Sequence, residues 1–202
     1  LLEGLLGSSI LGFHTQFHCN NFFDTVDRTL EARVDRETSS IHFGGDPTEV
    51  RRYPISIEWP PAPLAAQPPV PECRTVVRAA LGLGAEVRLG VGVDRLDYTK
   101  GILERFAAVE RLFELEPHWI GRFAFVQIAA PSRSSIEEYQ SLDARVRAAA
   151  MRINARFGTP GYQPIVLKIE HHDADQVYTC YRAADLCYVS SLHDGMNLVA
   201  KE

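Results

Sequence analysis

Between Arg88 and Val189 the sequence alternates short apolar runs with segments of helical periodicity, and no other feature of the chain restricts its fold so tightly. Arg88-Leu89-Gly90-Val91-Gly92-Val93 and Phe123-Ala124-Phe125-Val126-Gln127-Ile128 are short, apolar and flanked by breakers, as buried strands are. Pro164 to Leu167 and Leu186 to Val189 repeat the pattern. Between these runs Leu103, Phe106, Val109 and Phe113 mark one helical face, and a long helix is expected from about Ser134 to Phe157, opened by the capping pattern Ser134-x-x-Glu137. A third helix is expected from Asp173 to Ala184. Strands that alternate with helices predict an α/β fold, a parallel sheet with helices on both faces. Such sheets bind ligands beyond the carboxyl ends of their strands, so the loops after Val93, Ile128 and Val189 are where a site is to be sought.

Upstream, proline divides the chain. Seven of its twelve prolines, at 54, 60, 61, 63, 68, 69 and 71, fall between Pro54 and Pro71. Proline fixes φ and lacks an N–H, so this run is expected to be neither helix nor central strand, and residues 59–74 read as a Pro-rich linker. Residues 1–58 then read as the closing part of one domain and 75–202 as the first part of another. The former holds an apolar run ending Ile10-Leu11-Gly12-Phe13, a helix around Phe17 to Leu30, and a strand Ser39 to Phe43 that turns at Gly44-Gly45-Asp46.

Composition excludes several function classes. A length of 202 residues suits one large domain or parts of two, and a net charge of -5 argues against non-specific nucleic-acid binding. No apolar run approaches the ~18 residues a membrane helix needs. The opening Leu1-Leu2-Glu3 has neither an initiator Met nor a basic stretch, so the chain reads as cut at its beginning. Cys19, Cys73, Cys180 and Cys187 form no Cys-x-x-Cys pair, which suggests reduced thiols in a cytoplasmic protein. His14 and His18 are spaced like a helical zinc pair, but no Glu follows His14 and no third ligand is evident, so no metal site is expected. His171 and His172 suit capping at a helix start; Tyr178 and Tyr181, at helical spacing, suit a core.

Three loops carry chemistry. The first, Val93-Asp94-Arg95-Leu96-Asp97-Tyr98-Thr99-Lys100-Gly101, sets two cations where a helix begins, and cations beside free backbone N–H groups make an anion site. The alternative is that Arg95 and Lys100 only pair with Asp94 and Asp97 on the surface. The second loop, Ala129-Ala130-Pro131-Ser132-Arg133-Ser134-Ser135, can hold a second phosphate at Arg133, or its serines can merely cap a helix around a solvated arginine. The third runs from Ser190 to Glu202 and contains the turn dipeptide Asp194-Gly195, after which Met196 to Glu202 is expected to start a helix. Its amides suit a diphosphate, and the carboxylates of Asp194 and Glu202 suit sugar hydroxyls. An ordinary turn before a core helix is the plain alternative.

Taken in order, Val93-Asp-Arg-Leu-Asp-Tyr-Thr-Lys-Gly101, Gln127-Ile-Ala-Ala-Pro-Ser-Arg133, Arg152-Ile-Asn154 and Asp194-Gly-Met-Asn-Leu-Val-Ala-Lys-Glu202 resemble the trehalose-6-phosphate synthases of glycosyltransferase family 20. The resemblance runs from Leu1-Leu2-Glu3-Gly4-Leu5-Leu6 through Tyr53-Pro54-Ile55 to Glu202, but matches only the middle of such an enzyme. It implies a GT-B type fold of two Rossmann-like domains, the acceptor-side domain closing before the linker and the nucleotide-sugar domain opening after it. It also implies a retaining glucosyltransferase that passes glucose from a nucleoside diphosphate, usually uridine, to glucose 6-phosphate.

Carried over position by position, Arg95 and Lys100 would neutralise the donor diphosphate and so act in catalysis without a metal or other cofactor. Arg133 would reach the acceptor phosphate across the cleft. Asp194 would hold the donor glucose within the turn shared with Gly195, Met196 and Asn197, while Leu198, Val199, Ala200 and Lys201 would lie along the diphosphate and ribose, and Glu202 would accept from the ribose hydroxyls. His172 would line the base pocket where the family has Phe or Leu, contacting the base through backbone, and His193 stands where the family commonly has Arg; the donor base is therefore left open. The family's acceptor-recognising Asp and His and its glycine-rich donor loop lie upstream of Leu1, so this stretch alone is expected to be inactive. Partners implied are UDP-glucose or a related donor and glucose 6-phosphate, with no nucleic acid or membrane and with homo-oligomerisation left open. The competing readings are a sister transferase such as a glucosylglycerol-phosphate synthase, and a non-catalytic phosphosugar-binding regulatory subunit.

Overall fold

The structure, a computed structural model, describes residues 1–133 and 135–202, and the chain divides into two units, Leu1–Ile57 and Glu58–Glu202. The first begins with helix α1 (Leu2–Leu5), strand β1 (Ile10–Phe13) and helix α2 (Gln16–Thr29), and continues with strands β2 (Arg33–Asp35), β3 (Ser40–His42) and β4 (Thr48–Arg52). Its sheet runs β1-β4-β3-β2, with β1 parallel to β4 and the other pairs antiparallel. α2 lays Cys19, Phe22, Phe23 and Val26 against Leu6, Ile41 and Val50, which form the core of this unit. Thr15 caps α2 by accepting from the His18 N–H at 3.3 Å, and His14 Nδ1 lies 3.4 Å from the Tyr53 carbonyl, so both histidines have structural places. β2 and β4 escaped the sequence reading because both are largely polar, as edge or half-exposed strands are.

The second unit opens with helices α3 (Ala62–Ala65) and α4 (Val70–Ala80), which corrects the expectation that residues 59–74 carry no helix. The prolines are accommodated because Pro61 and Pro69 cap the two helices while Pro63 and Pro71 occupy first-turn positions, where an N–H would have no intrahelical partner. Then follow β5 (Arg88–Arg95), α5 (Ile102–Leu115), β6 (Phe123–Ala130), α6 (Glu137–Phe157), β7 (Ile165–Lys168), α7 (Ala174–Ala183) and β8 (Leu186–Cys187). The four strands form one wholly parallel sheet in the order β7-β6-β5-β8.

Period-two alternation sorts the side chains between two cores. Phe123 and Phe125 pack with Phe106, Phe113, Val146 and Ile153 of α5 and α6; Leu89, Val126 and Ile128 pack on the other face with Cys73, Val77 and Ala183 of α4 and α7. The expected α/β sheet with helices on both faces is therefore present. Asp173 caps α7 in a reciprocal box with Gln176. α6 instead starts at Glu137 after Ile136, which makes no side-chain cap bond, and the expected cap at Ser134 lies outside the described residues. Arg152-Ile153-Asn154 proves structural: Arg152 pairs with Glu110, Ile153 is buried, and Asn154 clamps both backbone groups of Ile165 at 2.8 and 2.9 Å. All four cysteines are free thiols, and no helix among the described residues is long and apolar enough to cross a membrane.

Candidate active site

In the second unit the chain adds β5, β6 and β7 in one direction and then crosses back to lay β8 on the other side of β5. That reversal opens a crevice between the carboxyl ends of β5 and β8, the place where open parallel sheets bind ligands. The loops after these two strands are stitched together there. The Thr99 carbonyl accepts from the Leu192 N–H at 2.8 Å and from the His193 N–H at 3.3 Å. Gly101 lets them close: its φ of +65° is left-handed, and a Cβ built on it would stand 2.4 Å from the Ser190 carbonyl oxygen.

Lys100 ends the short 3₁₀ turn Tyr98–Lys100, and its ammonium pairs with the carboxylate of Asp194 from the loop after β8. The two side chains are 15% and 21% exposed, so the pair is partly desolvated yet reachable. Lys100 holds the Asp194 carboxyl below its ordinary value, helped by the Met196 N–H and the Ser191 hydroxyl. The surface pairing considered for this loop is thus only partly realised. Asp94 turns inward to the buried Arg105 at 2.9 Å, and burial pushes its carboxyl up against the pull of that guanidinium. Arg95, at the end of β5, is mostly exposed and stands 4.0 Å from Asp97.

Asp97 is the hinge of a second group. It accepts from the Thr99 N–H and hydroxyl at 2.9 and 2.8 Å and from the Tyr139 hydroxyl at 3.3 Å. Its own burial pushes the carboxyl up, but these donors and Arg95 hold it below its ordinary value. Arg133 donates to the Tyr139 hydroxyl at 3.2 Å and lies 5.7 Å from the centre of that ring. Arg133 has a φ of 47°, in the left-handed region that residues with a side chain seldom adopt. Arg95 and Arg133 are thereby joined through Asp97 and Tyr139, while Lys100 joins Asp194.

The rest of the third loop is irregular. Met196 to Glu202 does not form the expected helix; it makes one turn, in which the Leu198 carbonyl accepts from Lys201 and Glu202 at 2.8 and 3.2 Å. Asn197 opens this turn, its side chain donating to the Ser191 hydroxyl and accepting from the Ala200 N–H as an N-cap does. Val199, Ala200 and Glu202 line a cavity of ≈ 520 Å³ with Tyr181, Cys187, Tyr188 and Val189. Burial pushes the Tyr181 phenol far up, with the Glu202 carboxylate adding to the effect. The space around Gly195 is open. His172 turns to its own loop, with Nε2 3.5 Å from Glu170. Among the described residues no three His, Cys, Asp or Glu side chains cluster as a metal ion would require.

The residues that hold this geometry are Arg105, Gln127, Tyr139 and Ser190, none of which was singled out from the sequence. Two of them carried a signal. Arg105 sits on the apolar stripe of α5 and Gln127 inside an otherwise apolar strand, and a polar residue at a core position needs a partner.

A family model described as Glycosyltransferase family 20 matches residues 1–202. The alpha,alpha-trehalose-phosphate synthase [UDP-forming] of Pichia angusta is 36% identical over 202 residues, which are all of this chain and 42% of that protein. An Escherichia coli structure described as trehalose-6-phosphate bound with UDP-2-fluoro glucose superposes with a TM-score of 0.86 at 33% identity, over 99% of this chain and 44% of that one. A trehalose-phosphate synthase (UDP-forming) from Burkholderia xenovorans, in complex with glucose-6-phosphate, gives 0.85 at 31%, over 99% and 44%. The chain therefore spans about two-fifths of the length of these relatives.

Proposed function

The chain belongs to glycosyltransferase family 20, and from that premise we propose that it carries the nucleotide-sugar site of a retaining glucosyltransferase that moves glucose from UDP-glucose to glucose 6-phosphate, giving trehalose 6-phosphate. The observation that carries the proposal is the contact between Lys100 and Asp194 across the β5–β8 crevice. In a nucleoside diphosphate glucose the distal phosphate is bonded to the anomeric carbon, so phosphate charge and sugar hydroxyls are neighbours. A cation touching a carboxylate offers each of them its partner.

The chemistry follows from charge. As the glycosidic bond of the donor breaks, positive charge grows at the anomeric carbon and negative charge on the departing diphosphate. Lys100 and Arg95 would stabilise the latter with their positive charge. Asp194, kept ionised by Lys100, would accept from the glucose hydroxyls. Arg133, anchored on Tyr139, would take the phosphate of glucose 6-phosphate. Glu202 would accept from the ribose, and His172 would face the base through its backbone. Fixed cations do the work a divalent metal otherwise does, and turnover is expected to survive a chelator. The four free thiols support a cytoplasmic location.

The test is an initial-rate assay of the full-length protein with UDP-, GDP- and ADP-glucose against a panel of phosphorylated acceptors, following release of the nucleoside diphosphate. Transfer from UDP-glucose to glucose 6-phosphate is expected, undiminished by chelator, with Arg95→Ala lowering the rate about a hundredfold. Loss of the rate in chelator, or parental turnover in Arg95→Ala, contradicts the assignment.

A further inference from the structure

Arg105 lies on α5, is fully buried, and bonds at once to β5, to β6 and to the loop after β8. One guanidinium nitrogen, Nη1, donates to Asp94 at the end of β5 at 2.9 Å and to the side-chain oxygen of Gln127 on β6 at 2.6 Å. Nε donates to the Ser190 hydroxyl beyond β8 at 3.1 Å, and Nη2 points to the Lys100 carbonyl at 3.4 Å. Ser190 passes the link on, donating its hydroxyl to the Gly101 carbonyl at 3.2 Å. β5 makes room for this arrangement: a Cβ at Gly92 would stand 2.3 Å from Nη1 and 2.7 Å from the Gln127 oxygen, and a guanidinium held by several bonds in a packed core cannot swing away.

Burying such a group is expensive, and a buried ion pair is often no more stabilising than apolar side chains of the same volume. What the planar fork supplies, and an apolar side chain cannot, is a fixed distance between the groups it binds. Those groups are the backbone that carries Lys100 and the residue four positions before Asp194. We propose that Arg105 is a positioning residue for the donor site, setting through Ser190 and the Lys100 carbonyl the spacing at which Lys100 and Asp194 meet a nucleoside diphosphate sugar. It touches neither substrate. The assignment rests on the activity proposed above.

The experiment compares Arg105→Lys and Ser190→Ala in the full-length protein. Lysine keeps the charge and can reach Asp94, but one ammonium cannot span Ser190 and the Lys100 carbonyl as well; Ser190→Ala removes only a hydroxyl. Donor KM, acceptor KM, UDP affinity by calorimetry and Tm are measured for each. Arg105→Lys should raise the donor KM and the UDP Kd about tenfold, and Ser190→Ala about threefold, with the acceptor KM within about twofold of the parent. The double variant should be no worse than Arg105→Lys alone, because both changes break one link. Ser190→Ala carries the test by itself if Arg105→Lys fails to fold. Parental donor KM and UDP affinity in the variants, or donor and acceptor KM rising together, overturn the assignment and leave the proposed activity standing. A parent protein that neither binds UDP nor turns over UDP-glucose overturns both.

Discussion

Lys100 and Asp194 answer to opposite charges, which makes their roles separable. In the free protein Asp194 partly neutralises the Lys100 ammonium, which on the proposed function would meet the diphosphate. Asp194→Asn should therefore bind UDP at least as tightly as the parent while transferring glucose about ten- to a hundredfold more slowly, the cost of losing a charged hydrogen-bond acceptor for the sugar. Lys100→Ala should lose both UDP affinity and rate. Calorimetric titration beside initial rates checks the pair, and a loss of UDP affinity in Asp194→Asn equal to that in Lys100→Ala would count against these roles. Residues of this kind were legible in the sequence because they stand at strand ends, where a sheet of this type binds. Their supports were not: Ser190 and Tyr139 are ordinary residues until folding brings them to Arg105 and Asp97.

Among the elements, the β5 and β6 strands and the α5 helix were legible from period and apolarity alone, since each is buried on a face that the pattern records. Local competition decided the failures. Proline is expected to break helices in residues 59–74, but Pro61, Pro63, Pro69 and Pro71 stand at caps and first turns, where they cost nothing. Met196 to Glu202 is expected to start a helix, but only one turn forms, behind Asn197, whose side chain accepts from the Ala200 N–H as an N-cap does. The loop between β5 and α5 depends on Gly101, and Gly101→Ala meets both a left-handed φ and the Ser190 carbonyl. The backbone term alone costs about 1 kcal/mol, so Tm should fall by at least ~2 °C and the donor KM should rise as the β8 loop is displaced. Unchanged Tm and KM would show that the two loops are not in register contact. Phe106→Ala, by contrast, empties a fully buried position of α5 in the core shared with Phe123 and Phe125 and should cost about 3–5 kcal/mol, read by chemical denaturation.

At the scale of the whole molecule, three paired carboxyls of the site and scaffold, Asp185, Glu110 and Asp194, share one sign of pH dependence, whereas the buried Asp94 is shifted the other way. Asp185, its side chain 15% exposed and surrounded by Arg74, Arg78, Arg88 and the Leu89 N–H, lies below its ordinary 3.8; desolvation opposes the shift and these donors overcome it. Glu110, held by Arg152 and Arg156 between α5 and α6, lies below its ordinary 4.5, and Asp194 lies below 3.8 beside Lys100. A carboxyl depressed on folding stabilises the native state at pH above its unfolded value and loses that contribution as pH falls through the folded one. Tm should thus be level above about pH 5 and drop steadily below pH 4, and Asp185→Asn should flatten the drop; an acid limb identical to the parent's would remove Asp185 from the explanation. A doubly covered parallel sheet could be read in advance, because it follows from where polarity and periodicity change along the chain. The crevice could be anticipated only as a class of place, since strand order is not written in local sequence. On the proposed function, Lys100 and Arg95 from one loop and the turn around Asp194 from another should grip a single diphosphate. A crystal structure of the full-length protein with UDP tests this most directly. The diphosphate should lie within about 2.7–3.2 Å of the Lys100 ammonium and the Arg95 guanidinium. A diphosphate seated elsewhere, with Lys100 still closed on Asp194, would contradict it.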